Sequence, residues 1–84
     1  MKEKIMELAK NKLEELEIFI DDVYTEKDGK VITMYIVLDT KKEEFIDLDT
    51  VVKATEILNE IVDKNHLAED IDVLDIYAKE KGEI

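Results

Sequence analysis

The chain of 84 residues has no cysteine, no proline, no tryptophan and no arginine, and only two glycines. Without cysteine there is no disulfide framework, no thiolate nucleophile and no thiolate metal site. Without arginine the basic residues are lysines alone, which lack the planar bidentate fork suited to phosphate. Twelve basic residues face 23 acidic ones, for a formal charge of −11. That balance argues against direct nucleic-acid binding, which needs a concentrated positive field. It suits a basic protein partner, and it also keeps a small domain in solution. No apolar run approaches the ~20 residues that cross a bilayer. The opening MKEKIMELAKNK lacks the apolar core of a signal peptide, so no membrane association is expected and the cytoplasm is the expected compartment.

With so few glycines and no proline, element boundaries have to be read from periodicity. Residues 2–16 carry Ile5, Ala9, Leu13 and Leu16 at helical spacing, with Met6 and Leu8 beside that stripe. Residues 17–26 and 31–39 read as a hairpin around Asp28-Gly29, a preferred pair for a two-residue turn. The run VITMYIVL is the most apolar in the chain and belongs at the centre of a sheet. A second helix is expected over roughly 50–64, with Asp49 as the favoured N-cap and Asp47 competing. Val51, Thr55, Leu58 and Val62 form its buried stripe, with Ala54 and Ile61 alongside. Residues 71–78 alternate as a third strand.

The order α-β-β-α-β predicts an α+β, two-layer domain spanning residues 1–84. The strand–helix–strand crossover places the third strand parallel to the second. The sheet is then mixed, in order 1-2-3, with both helices on one face; order 2-1-3, entirely antiparallel, is the alternative. A tight Asp28-Gly29 turn sets Val23 opposite Met34 and Phe19 opposite Leu38. One face then collects Phe19, Val23, Ile32, Met34, Ile36 and Leu38. The other collects Ile18, Ile20, Tyr24, Thr33, Tyr35 and Val37. Asp21 falls on the buried face in that register, so either the register shifts or a bulge at Asp21-Asp22 turns it outward.

No residues are assigned to catalysis, to a metal or to a cofactor. The acidic clusters, among them Glu43-Glu44 with Asp47 and Asp49, lack the central glycine and terminal bidentate Glu of a calcium loop. His66 stands alone in a polar loop with no nucleophile nearby in sequence. Two surfaces remain as candidates for partner binding. One is the helix-free sheet face bearing Ile20, Tyr24, Tyr35 and Val37, an apolar patch with two tyrosines. The other is a weak basic cluster in which Lys41 and Lys42 approach Lys79 and Lys81, diluted by neighbouring Glu.

The leading helix, DVYTEKDGKVITMYIVLD, IDLDTVVKATEILNEIVDK and DVLDIYA together resemble the N-terminal domain of the ribosome maturation factor RimP family. In that family a hairpin of similar length ends in an Asp like Asp39, a short loop leads into a second helix, and a strand like VLDIYA closes the domain. A Ser-rich segment with Pro-Gly and then basic residues follows there. The matching stretch here, Tyr77 to Gly82, keeps only the glycine, which makes Lys79, Lys81 and Gly82 the residues to watch. The family's second, small β-barrel domain is absent from this sequence. The resemblance implies a non-catalytic assembly factor that helps the small ribosomal subunit mature. Its implied partners are a basic ribosomal protein and rRNA, with the RNA contact weak or absent for so acidic a domain. The alternatives are a general interaction or dimerisation module, and a minimal or designed domain that keeps the fold without the function. A monomer is expected.

Overall fold

The structure, a computed structural model, describes residues 2–42 and 45–79. Its elements run α1 (Lys2–Glu14), β1 (Phe19–Asp28), β2 (Val31–Asp39), α2 (Leu48–Lys64) and β3 (Val73–Ala78). The three strands form one sheet in the order β1-β2-β3, with β1 antiparallel and β3 parallel to β2. This is the predicted α+β arrangement. Alternation along β2 sends Met34, Ile36 and Leu38 into the core, where α1 contributes Ile5, Ala9 and Leu13, and α2 contributes Ala54, Leu58, Ile61 and Val62. Both helices therefore cover the same face of the sheet. No helix among the described residues is long and apolar enough to cross a membrane.

Both helices end in a left-handed residue, and neither uses glycine. At the end of α1, Glu17 has φ +63°, Ile18 N–H donates to Leu13 C=O at 3.2 Å, and Glu17 N–H donates to Glu14 C=O at 2.9 Å. At the end of α2, His66 has φ +54°, Leu67 N–H donates to Val62 C=O at 2.9 Å, and His66 N–H donates to Asp63 C=O at 3.3 Å. These reciprocal bonds satisfy carbonyls that a helix end otherwise leaves unpaired. His66 thus has a structural place at a helix end. Its exposed ring lies 3.3 Å from Glu69.

Three details correct the sequence reading. Asp47, not Asp49, caps α2, its Oδ1 accepting from Thr50 N–H at 2.8 Å. Asp49 instead lies in the first turn, where its charge favours the helix dipole. The hairpin turn is Gly29-Lys30, since Asp28 pairs with Val31. Gly29 takes φ +63° while Lys30 does not, the pattern of a turn with glycine first. The register is shifted and bulged at once: Asp22 pairs with Val37 and Ile20 with Leu38, leaving Asp21 as the extra residue. The bulge reverses the alternation, so Ile18 and Ile20 enter the core instead of lining the open face. Phe19, expected inside, stays 37% exposed.

Thr40, the only buried polar residue among those described, secures the join between these layers. Its hydroxyl donates to Glu17 C=O at 2.8 Å and accepts from Lys42 N–H at 3.3 Å. The chain leaving β2 is thereby tied to the end of α1.

Candidate functional site: the open face of the sheet

With both helices on one side, the other side of the sheet carries no covering layer among the described residues. The pairing registers lay its side chains out in three rows. Glu26, Thr33 and Val73 form the first, Tyr24, Tyr35 and Asp75 the second, and Asp22, Val37 and Tyr77 the third. The three tyrosines, one from each strand, are all the tyrosines of the chain. Tyr24 stacks on Tyr35 with centroids 4.9 Å apart at 19°, and Tyr35 meets Tyr77 edge-on at 6.3 Å and 77°. The hydroxyls of Tyr24 and Tyr77 lie 2.8 Å apart, a hydrogen bond that spans the width of β2. Offset and edge-on pairs of this kind add about 0.5–1.5 kcal/mol each beyond the area they bury.

The cluster assigns different places to the predicted residues. Tyr24 and Tyr35 do come together, as expected. Val37 shares their face but is only 6% exposed, so it forms a floor and not a contact surface. Tyr77, which sequence reasoning did not place here, is 38% exposed and completes the cluster. Alternation in VLDIYA groups Val73, Asp75 and Tyr77 on one side. Assigning that side to the open face needs the β2/β3 register, pinned at its start by Asp72 and Ile32. There Asp72 N–H donates to Ile32 C=O, and the Asp72 carboxylate accepts from Ile32 N–H, both at 2.8 Å.

The electrostatics follow from this layout. The bond with Tyr77, then desolvation and the Glu26 charge, push the Tyr24 phenol up to about 12. Burial, then the charges of Glu26 and Asp75, raise Tyr35. Asp22 is held below the usual carboxylate range by Lys2, whose Nζ lies 3.2 Å away, and by Val23 N–H. A Glu placed at Tyr35 would lose the stack and meet Glu26 and Asp75, so Tyr35→Glu would cost stability.

In the second candidate surface, the basic cluster, Lys79 N–H donates to Leu38 C=O at 2.7 Å, close in the chain to Lys41 and Lys42, and two of its lysines are paired with acids. Lys79 reaches Asp21 in the bulge at 3.6 Å, while Lys42 pairs with Glu17 at the end of α1. Lys41 borders a groove of about 850 Å³ beside α1, floored by Met6, Leu13, Ile18 and Ile20. Lys81 and Gly82 lie outside the described residues. Among the described residues, no group of three or more His, Asp or Glu is arranged to hold a metal ion. No protein-family model, curated protein or solved structure matches the chain.

Proposed function

We propose that the chain is a non-catalytic, cytoplasmic assembly-factor domain that assists maturation of the small ribosomal subunit by binding a basic ribosomal protein. The observation that carries this reading is the order and spacing of its elements. The hairpin ends at Asp39, α2 opens one residue after the Asp47 cap, and β3 closes at Ala78, the sequence of parts in the RimP N-terminal domain that this chain resembles. The charge of −11 supports protein over RNA as the direct contact. Co-sedimentation with immature small subunits tests it, with and without a RimP C-terminal domain supplied in trans. Retention in the small-subunit fractions supports the reading, and absence in both conditions rejects it.

A general protein-interaction module is the second reading, favoured by the tyrosine cluster. An exposed aromatic patch on a helix-free sheet face has the composition of an interface centre. Such a module would bind a protein partner while remaining absent from ribosomal fractions.

A further inference from the structure

We propose that the open face of the sheet docks a short cationic protein segment, whose Arg or Lys side chains lie on the rings of Tyr24, Tyr35 and Tyr77 and pair with the carboxylates of Glu26 and Asp75. The surface deepens the assembly-factor reading and rests on it only for the identity of the partner. The chemistry of the segment is read from the face itself.

Ring faces attract cations through their quadrupole, and Arg makes such contacts more often than Lys. Tyr24 and Tyr77 are each more than a third exposed, so a side chain can reach them from solvent. Glu26 and Asp75 flank Tyr35 closely enough for their charges to act on its phenol. Neither carboxylate is in an ion pair among the described residues, whereas the acids nearer the bulge are engaged, Asp22 by Lys2 and Asp21 by Lys79. The three rows themselves contain no lysine. Glu26 and Asp75 stand on the two outer strands in adjacent rows. Strand and residue spacings put them roughly 12 Å apart, within reach of two cations on a segment of four or five extended residues.

Charge complementarity selects this occupant over the others. A second copy would bring another −11 to the face and has no arginine to offer. A nucleic acid would bring phosphates to a face whose two central carboxylates, Glu26 and Asp75, have no cation beside them among the described residues, although Glu26 is hydrogen-bonded to Tyr35.

The test uses the intact chain and three synthetic peptides of equal length, an Arg-Ser repeat, a Lys-Ser repeat and a Glu-Ser repeat. Because the chain has no tryptophan and its tyrosines all lie in the cluster, tyrosine fluorescence reports on this face alone. The Arg peptide is expected to bind with a change in that fluorescence, about threefold more tightly than the Lys peptide, and the Glu peptide not at all. Glu26→Gln with Asp75→Asn should weaken the Arg peptide about fivefold. Glu3→Gln with Glu7→Gln removes the same charge from α1, on the other side of the molecule, and should weaken it less than about twofold. Equal weakening by the two pairs would reduce the binding to net charge and overturn the proposal. So would no binding of the Arg peptide, binding measured by calorimetry that leaves the tyrosine signal unmoved, or a dimer that dissociates on Tyr77→Leu. Loss of peptide binding with ribosomal co-sedimentation intact would reject the face alone, and the converse would reject the ribosomal role alone.

Discussion

Deletion of Asp21 removes the extra residue that reverses the alternation of β1. The strand must then choose between two faces for the residues on either side. Keeping Tyr24 on the open face and Val23 against the core turns Ile18 and Ile20 outward and Phe19 inward. Ile18 and Ile20 are each only 4% exposed in the folded chain. Exposing both costs roughly 3–6 kcal/mol, and burying the part of Phe19 that is still exposed, 37%, returns only about 0.5–1. Slippage of residues 22–28 instead would expose Val23, bury Tyr24 and break the Gly29-Lys30 turn, at greater cost. The net loss is therefore about 2.5–5 kcal/mol, a large part of the ~4–13 kcal/mol typical for a chain this size. With a urea slope of about 1–1.5 kcal/mol/M, the midpoint should fall by about 2–4 M. Asp21→Ala keeps the bulge and loses only an exposed pair with Lys79, so it should stay within about 0.5 kcal/mol of the parent. A deletion variant as stable as Asp21→Ala would refute the claim that the bulge places Ile18 and Ile20.

Other outcomes follow from the same structure. Leu58 is fully buried, so Leu58→Ala should cost about 2–5 kcal/mol in urea unfolding, and a loss below ~0.5 would remove it from the core. Glu17→Gly and His66→Gly each relieve a left-handed residue and should stabilise the fold by about 0.5–1 kcal/mol, read as a rise in urea midpoint; a loss at either site would contradict the cap assignment. The depressed carboxyls of Asp22 and Asp47 contribute stability above the ordinary value of 3.8 that disappears as pH falls through their folded values. Asp47→Ala should flatten that acid limb. Tyr24 behaves oppositely: its contribution is complete below pH 10 and is lost as pH rises toward about 12, because the unfolded phenol ionises first. Stability measured at pH 9 and 11 should differ less in Tyr24→Phe than in the parent.

The helices and the sheet order were legible in the sequence because their signals are repeated. Ile5, Ala9 and Leu13 of α1 share one stripe, and the crossover from β2 through α2 leaves β3 little choice of neighbour. What escaped depended on single residues. Asp47 and Asp49 are chemically identical caps, and which one is used depends on where the chain first turns. Asp28-Gly29 and Gly29-Lys30 both make acceptable two-residue turns, and the choice shifts the register of the whole hairpin by two. The bulge was foreseen as one remedy for Asp21, but its consequence for Ile18, Phe19 and Ile20 required the register on both sides. Tyr77 was missed for a similar reason. Its distance from Tyr24 in sequence is 53 residues, and only the parallel β2/β3 register brings their hydroxyls together.

The proposed ribosomal role is tested most directly by sedimenting immature small subunits with the purified chain, alone and with a RimP C-terminal domain in trans. The expected result is co-migration with the small-subunit fractions, reduced by Glu26→Gln with Asp75→Asn and unaffected by Glu3→Gln with Glu7→Gln. A chain that remains at the top of the gradient under both conditions, while folded by urea titration, would contradict it.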